Sequence, residues 1–200
     1  NVINAKPMVR KMDKITKLKK KDYIYEYGLY PQINKRIKTI QKRYGDVPFI
    51  PSDMQSPIDV ATQIVDSENL MLAMFDRPES VHYLLELISE SIEEVINYQK
   101  EIVNIWVGYN ADYPLPVGIH FSDDDAAFLS PTVYKKFARP YIEKIGRKYD
   151  GVTLHCCMGY EQNLQVMSET EGFLGFDPNP AYISIKAILD VITGKGFRRL

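Results

Sequence analysis

Two hundred residues at 45% hydrophobic composition are enough for one cored domain, and no stretch of about eighteen apolar residues is present to cross a membrane. The formal net charge of −1 hides an asymmetry: thirteen Lys and Arg face three Asp and Glu through Tyr44, and twelve face twenty-three beyond it. The two cysteines, Cys156 and Cys157, are adjacent, which excludes an ordinary intrachain disulfide framework and makes a reducing cytoplasm the expected setting.

Residues 1–30 carry no clear period and read as irregular, with a short helix near residues 8–18. Residues 1–21 are basic and lack the apolar segment of a secretory signal, so none is expected there. A basic lead-in can serve nucleic acid. Here Tyr23, Tyr25, Tyr27 and Tyr30 do not interleave with the lysines as a stacking platform requires. The lysines are therefore expected as solvated helix faces lying against the acidic remainder, with no nucleic-acid partner. Ile33, Ile37, Ile40 and Tyr44 recur at helical spacing and predict a helix over residues 31–44, stopped by Gly45.

Residues 47–51 are a strand candidate weakened by Pro48. They open into a polar loop over residues 52–57, where Asp53 and Gln55 either line a pocket or make ordinary loop hydrogen bonds. Residues 58–73 read as one or two short helices. Asp76 then reads as a cap, with Pro78 in the first turn and Glu79 three residues on. The helix that follows carries Val81, Leu84, Leu85, Ile88, Ile92, Val95, Ile96, Ile102 and Val103 on one stripe, with Glu86, Glu90, Glu93, Glu94 and Lys100 off it.

Residues 110–116 read as a loop and 117–122 as a strand. Val117, Ile119 and Phe121 take one face; Gly118, His120, Ser122 and Asp124 take the other. Three successive carboxylates, Asp123, Asp124 and Asp125, repel one another unless a cation or a proton offsets the charge, or unless the loop is solvated and caps the next helix. The alternation turns Asp124 toward the strand-end pocket and leaves Asp125 to cap or face solvent. A bulge would hand the inward position to Asp123. Ser130 and Pro131 start a helix that Pro140 splits in two before Tyr149.

In residues 151–160, Thr153, His155 and Cys157 share one face of a short strand, and Val152, Leu154 and Cys156 share the other. An imidazole and a thiolate two residues apart can reach one zinc ion from one strand. The alternative is a hydrogen-bonded histidine beside two buried thiols that act as small hydrophobes. A helix over 161–170, a strand over 172–177 ending in Asp177, and a helix over 183–192 complete the pattern. Alternating strands and helices predict a parallel sheet with helical crossovers, doubly wound or closed as a barrel. No glycine-rich phosphate loop follows any strand, and polar groups at four successive strand ends favour the (β/α) barrel.

The run from Phe121 through Asp123, Asp124 and Asp125 to Leu129, Ser130 and Pro131, then Phe137, Pro140 and Tyr141, followed by His155, Cys157 and Gly159, resembles the uroporphyrinogen decarboxylase superfamily. That superfamily shows an aspartate-bearing strand end, a Leu-Ser-Pro helix start, a Phe-x-x-Pro-Tyr step and His-x-Cys-Gly. Ser56 and Pro57 through Asp76 to Glu79, with the long helix, extend the likeness to roughly residues 50–185. The resemblance implies an α/β fold of the (β/α)8 TIM-barrel type, seen here as a partial barrel because the chain is short for the family. Residues 1–200 then form a single, incomplete domain, with 1–45 as a basic helical lead-in and 46–200 as barrel strands and helices.

The resemblance also implies an enzyme with its site at the strand C-termini. The Arg-Gln-Ala-Gly-Arg-Tyr motif of the decarboxylase proper is absent, so the chain is closer to the cobamide-dependent methyltransferase branch. That branch holds zinc with His-x-Cys and a later cysteine, and zinc presents the acceptor thiol as a thiolate. Here Met158 pushes the usual glycine one place on, and no later cysteine exists. What the resemblance implies is zinc on His155 and Cys157; by strand position, and not by resemblance, a replacement third ligand is expected among Asp177, Glu161 and His120, and substrate contacts from Asp124 or Asp123 with Gln55 and Asp177. The methyl group would move between a corrinoid, free or on a partner protein, and a small-molecule thiol. Two alternatives stand beside it: a uroporphyrinogen decarboxylase of porphyrin biosynthesis with aspartates facing pyrrole NH groups, and a non-catalytic relative. A homodimer is among the expected assemblies; membrane is not among the expected partners.

Overall fold

The computed structural model describes residues 9, 12–50, 53–107 and 118–194. The expected loop over 110–116 and the first residue of the strand expected from 117 lie outside them. The lead-in forms two 3₁₀ turns, Met12–Lys17 and Ile24–Glu26, before helix α1, Tyr30–Tyr44. Gly45 ends α1 with a positive φ of 74°, as a residue without Cβ can. The apolar stripe expected on α1 is only half covered: Ile40 and Tyr44 are exposed, and the buried residue is Asn34.

Strands β1, Pro48–Phe49, and β2, Met54–Gln55, come next; the polar loop expected over 52–57 thus contains a short strand. Helices α2, Pro57–Val65, α3, Ser67–Asp76, and α4, Pro78–Ile102, follow. The expectation for Asp76 is corrected here. It is the last residue of α3, and Arg77 occupies the position before α4 without a side-chain cap. The aspartate that does cap is Asp66, whose carboxylate accepts from the Asn69 amide at 2.9 Å. On α4 the predicted stripe is buried from Val81 through Ile96 and packs against α2 and α3. Its acidic side faces the basic segments: Lys20 pairs with Glu94, the Ile24 amide donates to Glu94 at 2.9 Å, and Lys148 reaches Glu93 at 2.7 Å. Of these contacts, Lys20–Glu94 is the ion pair that joins the basic lead-in to the acidic remainder. Among the described residues no helix is long and apolar enough to cross a membrane.

Strand β3, Ile105–Trp106, pairs with β1 in parallel as a separate two-stranded sheet and has no counterpart in the sequence reading. The main sheet uses β4, Ile119–Ser122, β5, Val152–Cys156, and β6, Phe173–Pro178. Its order is β2-β4-β5-β6 and every pairing is parallel. Between β4 and β5 run a 3₁₀ turn, Asp124–Phe128, then α5, Pro131–Phe137, and α6, Arg139–Lys148. Ser130 caps α5 and Pro140 opens α6, as the sequence indicates. A 3₁₀ turn, Glu161–Asn163, and α7, Leu164–Ser168, cross from β5 to β6, and α8, Ile185–Gly194, follows. The four strands of the main sheet form an open parallel array with helical crossovers, the partial form of a TIM-type barrel.

Phe121, Leu154 and Cys156 are fully buried on the helix-facing side of this sheet, so the polar alternates project to the other face. The register sets Gln55, Ser122, His155 and Asp177 in one row across four strands. A bulge produces the last member of that row. Val152 pairs with Phe173, but Thr153 pairs with Gly175, so Leu174 is the extra residue and β6 changes phase. Phe173 and Phe176 then lie together, ring centres 4.6 Å apart, and Asp177 turns to the polar side.

Candidate functional site

His155 is the centre of the polar row, and its two ring nitrogens meet different partners. Nδ1 lies 3.2 Å from Asp177 Oδ2, and Nε2 lies 3.0 Å from Cys157 Sγ. The same Asp177 oxygen is 3.1 Å from His120 Nε2, one step lower on β4. His120 is buried, and burial pulls its pKa down. The ligand atoms of His120, His155 and Asp177 lie within 4.8 Å of one another, and so do those of Asp124, His155 and Cys157. Cys157 is exposed at the strand end, whereas Cys156 is buried on the opposite face, its thiol pushed up to about 12 by burial. Burial and the neighbouring Asp124 carboxylate also raise the Cys157 thiol, so it stays protonated without a cation beside it.

The three aspartates after β4 take three different places. Asp124 reaches the site: its Oδ1 accepts from the Cys157 amide at 2.5 Å. Asp123 is fully buried and turned into the core, where Tyr134 donates to its Oδ2 at 2.7 Å. Expecting Asp123 at the substrate is therefore corrected; a carboxyl with no exposed surface, beneath the strand end, presents nothing to a ligand. Asp125 neither caps its own turn nor faces solvent freely. It is half-buried and accepts from Thr62 of α2 at 2.6 Å.

Gln55 is exposed at the end of β2 in the shared row and bonds to Gln63. Asp53 accepts from Ser122 at 3.4 Å. Glu161 is committed elsewhere, accepting from the Ser184 amide at 2.9 Å. The remaining histidine, His82 on α4, bonds to Tyr141 at 2.8 Å and takes no part in the site. At the turn after β5, Met158 does not adopt a positive φ and packs partly against the core. The crowded position is Gly159, where a Cβ would stand 3.0 Å from the Tyr182 carbonyl, so the shifted glycine lets the chain pack against the segment after β6.

Beneath the site lies a support that sequence reasoning passed over. Asp59, in the first turn of α2, accepts from the Asp124 amide at 2.8 Å and the Asp125 amide at 3.0 Å. Its own amide is capped by Ser56 at 3.3 Å. Burial first, and then the charge of Asp123, raise the Asp59 carboxyl above the ordinary range; burial likewise raises Asp123. The local signal was present as Ser56, Pro57 and Asp59, a serine cap with an acid three residues on. Nothing local says that the acid serves a turn 65 residues away.

The parallel sheet with its helical crossovers has a counterpart in a solved structure, a methyltransferase from Methanosarcina mazei. It superposes with a TM-score of 0.70 at 21% identity, over 87% of this chain and 49% of that one. The chain thus spans about half the length of that relative, and the likeness establishes the fold. No curated protein matches the sequence. The sequence comparison is more direct, for the family model described as uroporphyrinogen decarboxylase (URO-D) matches residues 3–189. With nearly the whole chain covered by that match and the strand-end site in the place the motifs indicated, the chain belongs to the uroporphyrinogen decarboxylase family.

Proposed function

We propose that this chain carries the site of a zinc-dependent methyltransferase that moves a methyl group between a corrinoid and a thiol. The observation behind the reading is His155 Nε2 and Cys157 Sγ, 3.0 Å apart at the C-terminal end of β5, with Cys157 exposed. One imidazole and one thiol so placed suit zinc, which is bound by nitrogen and sulfur and keeps an open position in catalytic sites. Zinc there supplies a Lewis acid that holds the substrate thiol as a thiolate near neutral pH. His155 and Cys157 would hold the metal. Gln55, exposed in the same row, would meet the substrate. Transfer to the thiol would form a carbon–sulfur bond at the expense of the carbon–cobalt bond, whose electron pair would stay with the corrinoid. The likeness to a methyltransferase structure supports the reading.

Decarboxylation of a porphyrinogen is the weaker reading, because it gives the paired His155 and Cys157 no role; with Asp123 in the core, Asp124 and Asp177 would be the aspartates facing pyrrole NH groups. The two free cysteines are in keeping with a cytoplasmic protein. Elemental analysis of the purified protein with and without Cys157→Ser tests the proposal, together with methyl transfer from methylcobalamin to a thiol followed by visible absorbance. One zinc per chain, lost in the variant along with transfer, is the expected result. A zinc-free protein indifferent to the substitution would sink it.

A further inference from the structure

α1 is amphipathic by sequence, yet its buried residue is polar. Ile33 and Ile37 are half-buried and Ile40 and Tyr44 exposed, whereas Asn34 is only 7% exposed. An apolar side chain is the ordinary occupant of the covered face of a surface helix, and asparagine is a poor helix former besides. Asn34 Nδ2 donates to the Tyr25 carbonyl at 3.4 Å, longer than a usual bond. Its Oδ1 is buried and has no hydrogen-bond partner among the described residues. A buried acceptor without a donor is costly, and a folded protein that keeps one calls for a partner.

We infer that the partner is an adenine nucleotide, bound in a cavity between the lead-in, α1 and α4 with the Asn34 amide reading the base. Asn34 lines a cavity of about 480 Å³, a volume within the range of small-molecule sites. None of its lining residues belongs to the main sheet, so it is distinct from the strand-end site. Tyr25 and Tyr98 make an aromatic wall, their rings 3.8 Å apart and within 4° of parallel, and Pro31 adds an apolar surface. The exposed Lys35 and Lys38 line the α1 side, and α1 carries no acid to offset them. The same two tyrosines also border an acidic groove, where Glu90, Glu93, Glu94 and Glu101 outnumber Lys20 and Lys148. An anion is therefore drawn to the lysines and repelled from the groove, which gives the cavity a direction.

These features select a flat ring with a donor on its edge and a phosphate attached. Adenine meets an asparagine amide with N6–H donating to Oδ1 and N7 accepting from Nδ2. The amide turns easily about χ2, which brings Oδ1 round to the cavity without moving α1. Aromatic side chains stack on the face of a base, and Lys35 and Lys38 supply the charge for the phosphate. Glu26, the carboxylate of the lining, is left for the ribose hydroxyls, as an acid serves in dinucleotide sites.

Isothermal titration of the whole chain with adenosine 5′-monophosphate, guanosine 5′-monophosphate, adenosine and inorganic phosphate tests the assignment. The proteins compared are wild type, Asn34→Leu and Lys35→Gln/Lys38→Gln. Leucine is close to asparagine in size and removes the unpaired group, so the ligand-free urea midpoint should hold or rise. Adenosine 5′-monophosphate should bind once per chain, more tightly than adenosine or phosphate alone. Asn34→Leu should weaken it by about 5–150-fold, the range of one amide–base pair. The lysine variant should weaken it too and flatten its dependence on salt. No binding of adenosine 5′-monophosphate at millimolar concentration, equal binding of the guanosine nucleotide, or wild-type affinity in either variant would each overturn the inference. A urea midpoint that falls in Asn34→Leu would do the same, because it would give the amide a purely structural role.

Discussion

Asp59→Asn probes the support on which the site rests. The side chain is 4% exposed, and its two oxygens take the amides of Asp124 and Asp125 at 2.8 and 3.0 Å. Asparagine fits the same space but offers one acceptor oxygen, so its NH₂ meets the second amide donor against donor. One hydrogen bond is lost and one buried amide donor is left unpaired, about 1–3 kcal/mol at mildly acid pH, where a raised carboxyl is still protonated. Burial and the Asp123 charge hold the folded Asp59 carboxyl above its unfolded value. The folded protein therefore binds a proton that the unfolded chain has released. That contribution is complete below the unfolded value, near pH ~4, and is lost as pH rises through the raised folded value. Wild-type stability falls over this window by at most about 1.4 kcal/mol per pH unit for one proton, and the variant has no such slope from this position. Urea denaturation from about pH 5 to about pH 8, with midpoints and slopes for both proteins, measures the difference. The stability gap should narrow as pH rises; a gap that stays constant or widens refutes the raised carboxyl.

Two further outcomes follow from packing around the same sheet. Tyr134 is fully buried and donates at 2.7 Å to the buried Asp123 carboxyl, so Tyr134→Phe should cost about 1–3 kcal/mol in urea denaturation. A change below about 0.5 kcal/mol would show that the hydroxyl contributes nothing beyond a surface substitution. Gly151 has a φ of +116°, and a Cβ there would lie 2.6 Å from the Gly172 carbonyl and 2.7 Å from Leu174 Cγ. Gly151→Ala should lose about 1–3 kcal/mol from the backbone alone, with the clash adding to it, and lower the thermal midpoint; an unchanged midpoint would contradict the close approach of β5 and β6.

Much of the fold was legible because it is written in short-range patterns. The α4 stripe, the Ser130 and Pro131 start, the Pro140 break and the strand alternation at Phe121 and Leu154 each depend on residues within a few positions of one another. Two of the short strands, β2 and β3, were not legible. β2 and β3 are too short to show a period and exist because a neighbouring strand supplies their hydrogen bonds. Capping by Asp76 failed for a related reason: the local pattern fitted two successive residues, and helix packing put the boundary at Arg77.

At the site, the sequence by itself determined which chemistry was available. It set His155 and Cys157 on one face of a strand, kept Cys156 off it, and put three carboxylates at the end of β4. The tertiary structure decided which of these groups meet. Asp177 faces His155 only because the bulge at Leu174 reverses the phase of β6, and a bulge depends on the fit between two strands. Asp123 and Asp124 were separated by burial: one carboxyl was turned under the strand end to Tyr134, while the next was held in the site by the buried carboxyl of Asp59. Alternation along a strand is local and can be read from the chain. Register between strands and the pairing of buried charges are long-range, and only the folded structure specifies them.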